Sequence, residues 1–384
     1  MPLHFGKDEL ALRRRRVCAA LQEQGLDGLL MFRQESMYYL TGYDTFGYVF
    51  FQCLYMSADG STITLLTRAP DLRQARYTSI IDDIRIWRDR DGANPALELK
   101  EILEEQGCRG KRLGVEYDAY GLTGQNCKRL EAALDGFCEL EDSSYLVSRL
   151  RLTKSTAEIA FVRKAAELAD LAYAAVLPLI RPGVSESDIL ATLHATIYKG
   201  GGDDPANEFC IGSGPGALLG RYQSYRRILE PDDQITLEWA GVYRHYHAAM
   251  MRTLVAGRAP QVQRDMQAVA LEAIAECEEA LRPGNMVGQV FDAYARTCDR
   301  AGMTRHRLNA CGYCLGATFG PNWMDWPMLY AKNPVLLEPG MVFFVIANIF
   351  NSDAGLAVAP ARTYVVTETG NEPLSNAPFH LEVG

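Results

Sequence analysis

Glu238 closes an apolar run, QITLE, and is followed by a glycine turn and a second strand pattern that carries His245, His247 and Ala249. Strand side chains alternate, so those three share a face, and a carboxylate with two imidazoles can converge on one cavity. Beside Trp239 and at the end of an apolar strand, the Glu238 carboxylate is expected to be partly desolvated, which raises its pKa and suits a general base or nucleophile. Pairing with a buried arginine would make the same group structural. Imidazole titrates close to neutral pH, so His247 is a candidate to orient Glu238 or exchange protons with it, with His245 beside it. A histidine on a strand also serves as a hydrogen-bonded core residue.

Two domains are expected to position these groups, 1–150 and 151–384, because 384 residues exceed what one hydrophobic core usually organises. Residues 8–25 carry Leu10, Leu12, Val17 and Leu21 at helical spacing and lead into the buried-strand pattern GLLMF. Further apolar runs at 47–57, 62–67 and 112–116 alternate with helical stretches at 95–106 and 124–135, which reads as an α/β domain. The Arg13–Arg16 run reads as a solvated helix face. Near 146–155 the pattern changes, and Ser155 to Glu158 (STAE) forms a capping box opening a long helix through Val162, Ala165, Leu168, Ala169 and Ala172. Arg-Pro-Gly then recurs at 181–183 and 282–284, each time after a helix and ahead of strands. That echo fits a duplicated half-domain whose two halves enclose a cleft.

With 48% hydrophobic and 23% charged residues the chain is an ordinary globular protein. Its net charge of −9 would repel a phosphate backbone, so nucleic acid is not an expected partner. No apolar run reaches the roughly 18 residues of a membrane span, and the first residues lack a signal-peptide pattern, so a cytoplasmic location is expected. The ten cysteines are scattered, only Cys311 and Cys314 have CxxC spacing, and all read as reduced structural thiols. GSGPG at 212–216 lacks a following helix and reads as a loop at the cleft rim rather than a phosphate cradle. The aromatic segments 37–48 and 322–327 are either core or pocket wall.

The stretches RLTKSTAEI, FCIGSGPGALLGRY, ITLEWAG with the later Arg252-Thr253 pair, ACGYCLG, LEPGMVFF and YVVTETG, in that order, resemble the creatinase/aminopeptidase P ("pita-bread") family over nearly the whole chain. The resemblance implies an α+β protein: an N-terminal creatinase-type α/β domain and a C-terminal pita-bread domain with two pseudo-symmetric halves. It also implies a homodimer whose N-terminal domain reaches over the partner's cleft. Metallopeptidase members hold two divalent metals with Asp, Asp, His, Glu and Glu. Here the resemblance places Glu238 at the first Asp, Ala249 at the second, Tyr313 at the His and Ile346 at the first Glu. Ala361 or Arg362 takes the last Glu, depending on one gap, and a further family histidine becomes Arg221. One carboxylate cannot hold a metal pair, so neither a metal nor another cofactor is expected. The stretch LEWAGVYRHYHAAMMRT and the Gly-Tyr of GYCLG are most similar to ectoine hydrolase, in the metal-free branch that also contains creatinase.

These implications give a metal-independent hydrolase of a C–N bond in a small carboxylate-bearing substrate of amidine, guanidino or imino acid type. Glu238 attacks or activates water, His247 relays protons, and Arg221 and Arg362 recognise the carboxylate through paired hydrogen bonds. Tyr313 donates to a developing oxyanion or packs on Trp323 or Trp326. The alternatives are an Xaa-Pro metallopeptidase and a binding homologue without chemistry.

Overall fold

Arg151 and Leu152 divide the chain into two units in the computed structural model, which describes residues 3–221 and 226–382. The first unit holds a six-stranded sheet of β1 (Gly28–Met31), β2 (Cys53–Ser57), β3 (Ile63–Arg68), β4 (Asp83–Trp87), β5 (Arg112–Val115) and β6 (Glu139–Asp142), in the order β4-β3-β2-β1-β5-β6. Its helices are α1 (Lys7–Glu23), α2 (Gln34–Thr41), α3 (Asp71–Thr78), α4 (Pro95–Glu105), α5 (Gly124–Leu134) and α6 (Leu146–Leu150).

Two features of this unit differ from the sequence pattern. Arg13 is not solvated: it is buried on α1, its guanidinium 3.9 Å from the Phe5 ring centroid and 4.5 Å from that of Tyr39, with Nη2 on Glu9 at 2.6 Å. The long aliphatic stem and the delocalised charge make this burial tolerable. In the aromatic segment 37–48, Met37, Tyr38, Tyr39, Leu40 and Tyr43 are core, whereas Phe46 is exposed. The start of α2 has no cap from its own flank; Glu116, fully buried just beyond β5, accepts the Phe32 and Arg33 N–H groups at 3.0 and 2.9 Å and the Ser36 hydroxyl at 2.5 Å. Burial pushes its carboxyl up to about 7.

The second unit opens on α7 (Thr156–Val176), whose N-terminus carries the expected box: Ser155 Oγ accepts the Glu158 N–H while the Glu158 carboxylate accepts the Ser155 N–H. Then come α8 (Glu186–Lys199), β7 (Cys210–Ser213), β8 (Gln234–Tyr243), β9 (Tyr246–Val255), α9 (Gln261–Ala280) and α10 (Val287–Arg300). The chain finishes with β10 (Ala310–Cys314), β11 (Asp325–Tyr330), β12 (Val342–Ile346), β13 (Ile349–Asn351), β14 (Leu356–Val358), β15 (Ala361–Val366) and β16 (Asn371–Pro373). The main sheet runs β11-β10-β12-β15-β9-β8-β7 and is antiparallel throughout. The duplication is visible in its bonds: Gly183 N–H donates to Leu229 O and Gly284 N–H to Leu337 O, while Leu229 and Leu337 return bonds to Val184 and Asn285.

Helices cover one face of this sheet. Trp239 of β8 stacks on Tyr173 at 5.5 Å and donates its indole N–H to Ala169 O of α7, while α9 and α10 share a core with Phe343, Val345 and Tyr364. β8 lies so close to α7 that a Cβ on Gly241 would sit 1.8 Å from Ala165 O. By alternation the neighbouring residues, Glu238 first among them, face away from the helices. Gly241→Ala is expected to force strand and helix apart and to lower the unfolding free energy by about 1–3 kcal/mol, read from urea denaturation midpoints.

Candidate active site

Register fixes what surrounds Glu238. Cys210 of β7 pairs with it on one side and Met251 of β9 on the other; Met251 pairs with Ala361 of β15, and Ala361 with Ile346 of β12. Directly paired residues project on the same face, so one row crosses the sheet: Cys210, Glu238, Met251, Ala361, Ile346. Ala249 lies on the same face, two residues from Met251. Within this row the only carboxylate is Glu238. It is partly exposed, and desolvation pushes its carboxyl up to about 7 against the Cys210 thiol, the Tyr313 hydroxyl and the Arg221 charge, which all pull it down.

Tyr313 reaches this carboxylate from β10, its hydroxyl donating to Glu238 Oε1 at 3.5 Å. The hydroxyl in turn accepts the Trp323 indole N–H at 2.8 Å. Burial and the neighbouring carboxylate hold the phenol well above its usual range, so it stays a neutral donor. Gly312, at φ +135°, lets β10 shift register just before Tyr313, and a Cβ there would fall 1.9 Å from Phe344 O. Of the two packing partners expected for Tyr313, the structure supplies Trp323.

His247 shares the sheet face of Glu238 but is paired four residues along, opposite Val242. Its Nε2 accepts the Ala206 N–H at 2.9 Å, so the proton sits on Nδ1, which faces Thr318 Oγ1 at 3.2 Å. Complete burial pushes the imidazole down to about 3. With both nitrogens engaged and the ring uncharged at neutral pH, His247 ties the loops at 206 and 318 to the sheet rather than relaying protons. His245 is not on the strand: at φ +66° it occupies the tight β8–β9 turn with Arg244, and its ring stacks on Phe319 at 4.2 Å. The turn expected at the glycine after Glu238 falls instead at Arg244 and His245: β8 runs through Gly241 to Tyr243, and the two-residue turn holds both of those residues in the left-handed region.

Arg221 is exposed, and its charge acts on both Glu238 and Cys210; Tyr222, which follows it in the motif, lies outside the described residues. Arg362 does not face Glu238. Ala361 takes the row position, so Arg362 projects from the opposite face, donating to Ala377 O at 2.8 Å and stacking over Phe379 at 4.4 Å. Cys210 was not singled out in the sequence, where it is one of ten cysteines, all free in the structure. Only the β7–β8 register puts it beside Glu238, which with burial pushes the thiol up to about 12.

Residues 160–368 match the model of metallopeptidase family M24, and residues 13–153 that of the creatinase/prolidase N-terminal domain. The chain belongs to family M24. M24 relatives include an uncharacterised hydrolase/peptidase of Sinorhizobium fredii, 28% identical over 99% of both chains. Ectoine hydrolase of Halomonas elongata is 27% identical over 99% of this chain and 98% of its own. The solved Xaa-Pro dipeptidase from Bacillus anthracis superposes with a TM-score of 0.84 at 24% identity, over 97% of this chain and 99% of that one. The M24 assignment establishes a hydrolase with the creatinase N-terminal and pita-bread architecture. A metal pair, implied by the family's name, does not fit these residues. Hard divalent cations need several anionic oxygens, whereas the row offers Glu238 among sulfur and alkyl groups, and among the described residues no three His, Cys, Asp or Glu side chains gather.

Because the folded state raises the Glu238 pKa from 4.5 to about 7, the stability it lends is complete below pH 4.5 and lost as pH rises through 7. Glu238→Gln is therefore expected to match wild type near pH 4.5 and to exceed it at pH 8.5 by on the order of 2 kcal/mol, measured by denaturation at the two pH values.

Proposed function

We propose that this M24 protein is a metal-independent hydrolase that cleaves a C–N bond in a small carboxylate-bearing substrate of the amidine, guanidino or imino acid type. The observation that carries the reading is a lone, desolvated carboxylate on an apolar floor with a neutral phenol 3.5 Å away. The similarity to ectoine hydrolase over the full chain supports it. In the ionised form Glu238 takes a proton from water as the hydroxide oxygen adds to the electrophilic carbon. Tyr313, held by Trp323, donates to the oxygen or nitrogen on which negative charge develops. The C–N bond then breaks, and the proton held by Glu238 passes to the leaving nitrogen. Arg221 at the exposed side binds the substrate carboxylate, and the alkyl side chains of Met251, Ala361 and Ile346 receive its apolar portion. His247 and Arg362, expected to touch substrate, have no part in this scheme. The proposed setting is a cytoplasmic homodimer; no helix among the described residues is long and apolar enough to cross a membrane.

Turnover of ectoine, creatine and Xaa-Pro dipeptides, with and without chelator or added manganese, tests the reading. An accepted substrate is expected to be cleaved equally in chelator, with substoichiometric metal by elemental analysis; two bound metals per chain and activity dependent on them would make the protein an Xaa-Pro-type metallopeptidase. Binding without any product would make it a non-catalytic homologue. Glu238→Gln should lower kcat about 10²–10⁴-fold. The wild-type rate is expected to rise with pH through about 7 as Glu238 ionises. Arg221→Ala should raise KM about 10–100-fold with kcat little changed, the signature of a lost charge-assisted binding contact.

A further inference from the structure

The helix-covered face of the main sheet carries two guanidinium groups on adjacent strands, on the side opposite Glu238. Arg252 of β9 is buried and spends its donors on carbonyls: Nε to Pro378 O at 3.0 Å, Nη1 to Met251 O at 2.8 Å and Ala361 O at 2.6 Å, and Nη2 to Ala377 O at 3.1 Å. Arg362 of β15 donates Nη2 to the same Ala377 O at 2.8 Å. Both stack on Phe379, at 4.1 and 4.4 Å from its centroid. Two cations thus meet at one neutral oxygen.

Arg252 is buried and Arg362 partly so, and a buried charge is normally compensated by an opposite charge in contact. Among the described residues neither guanidinium has a carboxylate within ion-pair distance. The acidic groups on the surrounding elements are bonded elsewhere: Asp170 accepts the Ser375 hydroxyl and the Asn376 N–H, and Glu278 accepts the Tyr364 hydroxyl at 2.6 Å. Donors also remain unused. Arg362 Nε is buried without a hydrogen-bond partner, and so is the hydroxyl of Tyr173, whose ring centroid lies 5.7 Å from the Arg252 guanidinium. Burial pushes Arg252 down to about 10; the Arg362 charge adds to this, and Tyr173, Tyr364 and Asp170 oppose it.

We infer that Arg252, Arg362 and Tyr173 form a binding site for a small monovalent inorganic anion of the halide class, which fastens the 375–379 segment to the sheet beside Phe379. A halide suits the site because it accepts several N–H and O–H bonds with little directional demand and is small enough to enter a covered position. The site lies apart from Glu238 and does not depend on the reading of that residue.

Thermal unfolding of the full chain in chloride and in gluconate at one ionic strength tests this. The wild-type midpoint is expected to be about 2–4 °C higher in 200 mM chloride than in gluconate, the shift of a ligand at several times its dissociation constant on a domain of this size. Arg362→Asp supplies a fixed carboxylate beside Arg252, so its midpoint should be the same in both salts and no lower than that of wild type in chloride. Wild-type crystals in bromide should show an anomalous peak within hydrogen-bonding distance of Arg362 Nε. Equal wild-type midpoints in the two salts, a chloride shift that persists in Arg362→Asp, or no bromide at Arg362 would each overturn the site. If the aspartate variant does not fold, the bromide peak decides.

Discussion

Desolvation of one carboxylate is the constraint around which the second unit is arranged. Glu238 sits in mid-sheet with alkyl and sulfur neighbours, and what keeps its charge accessible near neutral pH is a short set of donors rather than a cation in contact. Such a group is costly to keep and correspondingly reactive: too much compensation would make it inert, and too little would leave it protonated. The Cys210 thiol, the Tyr313 phenol and the more distant Arg221 charge leave it between those limits.

The rest of the unit holds those donors still. Trp323 orients the Tyr313 hydroxyl, Thr318 bonds both His247 and the Trp323 carbonyl, and His247 fastens the loop containing Ala206. On the far face Arg252 bonds the carbonyls of Met251 and Ala361, whose side chains follow Glu238 in the row. Side chains that touch no substrate therefore determine where the acid and the phenol meet. Nor is the imidazole of His247, in the cleft-facing layer, a proton carrier: a ring with both nitrogens bonded in a dry interior has no stable charged form to pass through.

Much of this was legible in the sequence, because it rests on local patterns. The Ser155–Glu158 box and the Arg-Pro-Gly echo follow from propensity and periodicity and appear as read, whereas the strand expected to end at Glu238 runs on to Tyr243 with Gly241 inside it. The errors come from where local pattern stops being informative. Whether Ala361 or Arg362 faces the acid is a matter of cross-strand register, a one-residue slip that reverses every side chain and leaves no trace in the sequence of either strand. Cys210 beside Glu238 is likewise a pairing fact. Alternation continues through His245, and only the turn it occupies takes it off the strand. Arg13 looked solvated as part of a basic run, but Phe5 and Tyr39, distant in sequence from each other, make a slot for it.

The two alanines on the Glu238 side of the sheet, Ala249 and Ala361, belong to paired strands and are fully buried. A larger side chain at either would over-pack the layer that holds the acid in place. Room to reshape the cleft lies instead at the far end of the row, where Ile346 is partly exposed and a single exchange leaves the reactive group untouched.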